Sequence, residues 1–259
     1  MSYSTMNAAE CSWKEIASMP KDTLFFISIG PLEAHGPHLP VATDFFIARA
    51  IEEKTVASLR ERDIPCVSLP PLPLGSCRYL EGFPGTVSVE WKAVYRVLLD
   101  IFKSFGTHGF TRFMVINFHM DLWHVKAIHR AIKKARRWNV IACEPLAPYY
   151  FRKELFEERE GEVHADVKET SIMLHLFPEM VRDYHMEPFH VDFTLLNSLK
   201  KFRELGAHDA YIGSPGEADA EYGERLFNTA VEKCIDAAYR LKRGETVELP
   251  EKMKVLLRI

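Results

Sequence analysis

Short apolar runs alternate along this chain with longer stretches whose apolar residues recur every three or four positions. That is the pattern of buried strands alternating with amphipathic helices. Leu24-Phe-Phe-Ile-Ser-Ile29 is the first run, and Phe45 to Arg62 reads as the helix after it, with Thr43 or Asp44 as its cap. Pro65-Cys-Val-Ser-Leu69 predicts a second strand, and a proline- and glycine-rich connection from Pro70 to Thr86 leads to a helix from about Val89 to Phe105. Arg112-Phe-Met-Val-Ile-Asn117 is the third strand, followed by a helix from about Trp123 to Trp138, and Asn139-Val-Ile-Ala-Cys143 is the fourth. The stretch from Pro145 to Val163 is less regular, and Glu217 to Arg243 reads as a long closing helix. Strands and helices alternating at these lengths predict an α/β fold with a mostly parallel sheet covered on both faces. No linker divides the chain, so residues 1–259 are expected to form one domain.

Composition narrows the function classes. The net charge of -3 gives no electrostatic reason to expect nucleic acid or an anionic membrane as partner. No apolar run approaches the roughly 20 residues that span a bilayer, and the first five residues lack the basic and apolar segments of a signal peptide. Cys11, Cys66, Cys77, Cys143 and Cys234 are scattered without a CxxC pair, which fits reduced thiols and a cytoplasmic location.

The chemistry concentrates just after the first strand, in Gly30-Pro-Leu-Glu33-Ala-His35-Gly-Pro-His38-Leu-Pro-Val-Ala-Thr-Asp44. Glu, His and Asp together form a ligand set for borderline divalent cations such as Zn²⁺ or Mn²⁺. Open α/β sheets build their sites at the carboxyl edge of the strands. The third strand ends in Asn117-Phe-His119-Met-Asp121, so His119 is expected at that same edge. A third cluster, His164-Ala-Asp166-Val-Lys-Glu169-Thr-Ser171, opens an apolar helix, with Glu169 near its start.

These segments resemble the creatininase (creatinine amidohydrolase) family. The matching stretches are Gly30 to Asp44, Phe83-Pro-Gly-Thr86, Asn117-Phe-His119, His164 to Ser171 and Gly213-Ser-Pro-Gly-Glu217, in the family's order. The resemblance implies a three-layer α/β/α sandwich, two divalent metal ions per subunit (Zn and/or Mn) and a homohexamer. It implies that Glu33, Asp44 and His119 hold one metal and that His35, Asp44 and Glu169 hold the other, with Asp44 bridging. His164 matches the family's proton-transferring histidine, and Asp121 a position that in some members is a glutamate assisting the metal or its water. The departures lie in the pocket. Bulky Phe118 and Met120 stand where many members have glycine; Cys77, Tyr79 and Leu80 replace a serine and a Glu-His pair; and Asp166-Val167 replaces Gly-Glu.

Other roles are open at several positions. Glu33 and His35 can be hydrogen-bonded loop residues, and His38 fits a residue supporting the ligands better than a ligand. Asp121 is either a metal-shell carboxylate or the cap of the following helix, and His164 an acid/base or a structural cap. His124, His129 and His175 read as packing or surface residues, and Lys133-Lys-Ala-Arg-Arg137 as the cationic end of a helix. Tyr149, Tyr150 and Phe151 form either an aromatic lid or a subunit contact. The resulting expectation is a metal-dependent hydrolase that opens or deacylates a small cyclic carbonyl compound with metal-activated water. The pocket departures lean toward a ring diketone such as a diketo-inositol, with C–C cleavage. The alternatives are a cyclic amide or formamide with C–N cleavage and, in another class, an isomerase or lyase, or a non-catalytic binding protein.

Overall fold

The computed structural model describes residues 7–157, 159–192, 197 and 200–259, so the N-terminal residues inspected for a signal peptide lie outside it. Four strands, β1 (Leu24–Ile29), β2 (Cys66–Ser68), β3 (Arg112–Asn117) and β4 (Ile141–Cys143), lie in the order β2-β1-β3-β4 with every pairing parallel. All six residues of β1 are buried, as a strand covered on both faces requires. Its side chains alternate between two cores. Leu24 and Phe26 pack with Met114, Ile116, Ile47 and Leu226, while Phe25, Ile27 and Ile29 pack with Phe102, Phe113, Val115 and Ile128. The first core joins the sheet to α2 (Thr43–Arg60), α6 (Val167–Leu176) and α7 (Ala220–Lys242); the second joins it to α3 (Trp91–Gly106) and α4 (Leu122–Ala135). The result is the three-layer α/β/α arrangement. Full burial of a side chain such as Phe25 contributes roughly 1.5–3 kcal/mol, so these two cores hold the layers together.

Register explains where the site forms. Ile29 pairs with Asn117, so the chain leaves β1 and β3 side by side at one sheet edge. Helix boundaries differ from the expected ones by a few residues. Thr43 and Asp44 are not caps: α2 starts at Thr43, its cap position is Ala42, and no side chain caps it. Thr43 instead donates to the Pro40 carbonyl at 2.7 Å, and the Asp44 carboxylate turns toward two histidines. The irregular stretch contains α5 (Leu146–Phe151). Two further short helices, α1 (Trp13–Ser18) and α8 (Glu251–Leu257), went unpredicted because six or seven residues display too few turns for a periodic signal. Among the described residues, no helix is long and apolar enough to cross a membrane.

One glycine fixes how closely α6 and α7 approach. A Cβ on Gly223 would lie 1.9 Å from the Ser171 carbonyl oxygen, and backbone cannot yield as a flexible side chain can. Gly223→Ala is therefore expected to destabilise the fold by about 3 kcal/mol or more, measured by urea denaturation; an unchanged midpoint would contradict this packing.

Candidate metal centre and its cavity

The loop after β1 is shaped so that its side chains face one point. A Cβ at Gly30 would meet the Phe45 backbone at 2.8 Å, so only glycine lets the start of α2, with Asp44, back onto the strand end. Glu33 N–H donates to the Val41 carbonyl (2.7 Å), and Ala34 N–H donates to Thr86 Oγ1 (3.0 Å). The Phe83-Pro-Gly-Thr86 motif thus pins the ligand loop. His35 donates from Nδ1 to the Glu33 carbonyl at 2.9 Å, which turns its Nε2 toward Asp44. On the neighbouring strand, Asn117 clamps the turn: its amide nitrogen donates to the His119 carbonyl (2.9 Å) and its amide oxygen accepts from His119 N–H (3.0 Å). His119 Nε2 donates to the Ser76 carbonyl (3.0 Å), leaving Nδ1 to face Asp44.

Glu169 arrives from the opposite side, in the first turn of α6. Asp166 caps that helix, accepting from Lys168 N–H and Glu169 N–H. Ala165, with φ at 45°, takes the left-handed backbone that costs a non-glycine residue on the order of 1 kcal/mol, and its N–H donates to Glu169 Oε2 at 2.6 Å. The strained residue thereby fixes the carboxylate.

Five residues from three distant segments converge in two sets that share one member. Glu33, Asp44 and His119 offer atoms within 4.8 Å of one another, as do His35, Asp44 and Glu169. His119 Nδ1 stands 3.0 Å from Asp44 Oδ2, and His35 Nε2 stands 3.5 Å from Asp44 Oδ1 and 3.7 Å from Glu169 Oε2. Yet buried His35 Nε2 and Asp44 Oδ2 make no hydrogen bond. Buried polar atoms left without a hydrogen-bond partner beside two such sets mark a candidate cation site. A third set, Glu33, His35 and His164, meets the same 4.8 Å criterion, so His164 also sits within ligand reach.

The electrostatics describe a buried cluster whose carboxylates and imidazoles share protons. Burial pushes Glu33 up to about 7 and Glu169 up to about 8, only partly offset by His119 and His35 respectively. Burial alone would lower both imidazoles. For His35 the charges of Asp44, Glu169 and Glu33 outweigh it, and for His119 those of Glu33, Asp44 and Asp121, so both are held up at about 10. Asp44, though buried, is kept well below the usual carboxylate range by these two histidines. His164 is lowered well below the usual imidazole range by burial and by the positive charge of His35.

Asp121 caps α4, accepting from Trp123 N–H (2.7 Å), and it also accepts from Arg78 N–H (2.9 Å). Its carboxyl is pushed up by burial, and it lines the same cavity as the ligand sets. His164 is not a cap, since Asp166 takes that role; it donates from Nε2 to the Ala34 carbonyl at 2.9 Å. His38 Nε2 lies 2.9 Å from Thr170 Oγ1, tying the first loop to the residue beside Glu169. His124 is a packing residue rather than a surface one: fully buried, its ring lies edge-on to His119, and its Nδ1 accepts from Ser76 N–H at 3.2 Å. The cavity over the cluster holds about 500 Å³, and its walls are mostly aromatic and aliphatic, including Tyr79, Phe118, Tyr150, Phe151 and Phe156. Tyr149 points elsewhere, its hydroxyl donating to Asp236 of α7 at 3.3 Å.

A family model described as Creatininase, creatinine amidohydrolase, matches residues 9–238. The mycofactocin precursor peptide peptidase of Mycolicibacterium smegmatis is 28% identical over 231 residues, covering 86% of this chain and 85% of that one. The 3-dehydro-scyllo-inosose hydrolase of Thermotoga maritima is 29% identical over 167 residues, covering 61% of this chain and 51% of that one. A solved structure described as creatininase Mn superposes with a TM-score of 0.66 at 22% identity, covering 91% of this chain and 98% of that one.

Proposed function

The chain belongs to the creatininase (creatinine amidohydrolase) family and is a hydrolase of that family, and we propose that it cleaves an amide bond in a substrate with apolar substituents, using two divalent cations. One observation carries the reading: two ligand sets share Asp44, with unpaired buried donors on both sides, at the floor of a largely apolar cavity. Three carboxylates and two imidazoles fit Zn²⁺ or Mn²⁺. Glu33, Asp44 and His119 would hold one ion and His35, Asp44 and Glu169 the other. When bound, the pair supplies a nucleophile at neutral pH and charge stabilisation at the carbonyl oxygen.

The protein's own groups do the rest. His35 and His119 are locked in their ring orientations by the Glu33 and Ser76 carbonyls, which fixes the nitrogen each presents. His164 has its Nε2–H committed to the Ala34 carbonyl, so Nδ1, 3.4 Å from Glu33 Oε1, is the free ring nitrogen. Burial keeps His164 neutral at pH 7, and Nδ1 can take a proton and deliver it to the leaving nitrogen. Asp121, capping α4 at the cavity wall, holds the Arg78 backbone and so the wall carrying Tyr79.

The wall favours an amide over the ring diketone. Against the Phe118, Phe151 and Phe156 side of the lining, ring hydroxyls would lose hydrogen bonds to water that these rings do not replace. The apolar side chains of a peptide-like substrate have no such bonds to lose there, and the M. smegmatis relative, 85% of which is covered, is a peptidase. The second reading, C–C hydrolysis of a ring diketone, draws its support from the T. maritima relative, over about half of that protein's length. Metal-loaded protein is expected to hydrolyse N-acyl amino acids or short peptides bearing apolar side chains, to stop on chelation, and to resume with Zn²⁺ or Mn²⁺. Turnover that persists through exhaustive chelation sinks the reading. His164→Gln is expected to lower kcat by about 10²- to 10⁴-fold with metal content unchanged; loss of metal would instead make His164 a ligand.

A further inference from the structure

One wall of the cavity comes from a part of the chain outside the family match. That match ends at residue 238, while α8 spans Glu251–Leu257 and contributes Lys252, Met253 and Leu256 to the cavity lining. The helix is anchored: Leu249 and Leu257 are buried against Val125 and Ala147. A wall so anchored is a fixed feature of the cavity.

The lining lysines differ in how they are held. Lys168 is bonded to Asp166 at 2.9 Å and to the Glu162 carbonyl at 3.2 Å, so its charge is already neutralised. Elsewhere on α8, Lys254 is held by Glu248 and Glu251. Lys252 is exposed and makes no ion pair among the described residues. The lining thus carries both signs: the carboxylates of Glu33, Asp44, Asp121, Asp166 and Glu169, and on α8 an uncommitted ammonium.

We propose that α8 is the specificity wall of this cavity: Met253 and Leu256 receive an apolar side chain of the substrate, and Lys252 receives a carboxylate on the same molecule. A single ammonium matches a monoanion, whereas a phosphate dianion calls for several convergent donors. With Lys168 already paired, an anion seated at Lys252 meets the lining ammonium that makes no ion pair among the described residues, and the substrate's amide carbonyl is left to face the candidate metal centre. The assignment rests on the cavity being the substrate site of an amide hydrolase, and it adds which amides enter.

The test is calorimetric titration of metal-loaded protein with N-methanesulfonyl-L-phenylalanine and with the corresponding neutral alcohol, neither of which carries an amide bond to hydrolyse. Wild type is expected to bind the acid about fivefold more tightly, the upper range for an ion pair at an exposed lysine. Lys252→Gln is expected to abolish that preference, Lys252→Glu to reverse it, and Leu256→Asp to weaken both ligands. Lys252 is exposed and Leu256 is half-exposed, so none of these substitutions disturbs the core. Equal binding of acid and alcohol by wild type, or an acid preference surviving in Lys252→Gln, overturns the assignment. If Lys252 sets the preference while no amide is hydrolysed, the assignment of α8 stands and the hydrolytic reading alone falls.

Discussion

Asp44→Asn is expected to lower turnover by about 10³-fold or more while leaving the fold in place. Asp44 belongs to both ligand sets, so the substitution weakens two sites where Glu33→Gln or Glu169→Gln weakens one. Its two oxygens face different imidazoles, Oδ1 toward His35 and Oδ2 toward His119, the geometry of a bridge between two cations. The same histidines keep it ionised despite complete burial. Asparagine preserves the volume and removes the charge, so two nearby cations lose the anion that offsets their repulsion. A metal pair supplies several kcal/mol of transition-state stabilisation, and each 1.36 kcal/mol is a factor of ten. The helix carrying Asp44 remains anchored by buried Ile47, Ile51 and Leu59, so circular dichroism should match wild type. Metal content by mass spectrometry is expected to fall along with kcat. An Asp44→Asn protein that keeps its metal and its turnover would remove the bridge from the account.

The fold was legible wherever a buried element is long enough to repeat its pattern. β3 falls at Arg112–Asn117 as read, because a fully buried strand is a continuous apolar run bounded by polar residues. α1 and α8 were invisible because their stability comes from a capping box and from Leu257 packing, neither of which is periodic. The convergence of Glu33, His35, Asp44 and His119 followed from two strand ends sharing an edge, which sequence spacing can express. Glu169 was harder, since its approach depends on α6 packing against α7 on one face of the sheet, a contact between residues about 50 positions apart. Ser76 was missed because it supports the site through a backbone carbonyl. Residue identity carries no trace of a carbonyl's direction.

Metal loading at neutral pH is expected to release about three protons per chain: one from each of His35 and His119, and the remainder from Glu33, which is about half protonated at pH 7, and Glu169, which is mostly protonated. Without cations, the carboxylates around His35 and His119 hold both at about 10, so at pH 7 each carries a proton. Ligation needs both rings neutral, so protons compete with metal. The sign follows directly: as pH falls below about 10 the competing protons are fully bound, and apparent affinity drops by about 100-fold per pH unit for two protons. As pH rises through 10 the competition fades and the slope flattens. Glu33 and Glu169, pushed up by burial, steepen the dependence near neutrality because they too must ionise. Calorimetric titration of metal-free protein with Zn²⁺ or Mn²⁺ in buffers of different ionisation enthalpy reads the proton count from the slope. A slope of zero would mean that neither the imidazoles nor the carboxylates of the two sets hold protons to lose at pH 7, which would overturn this proton competition.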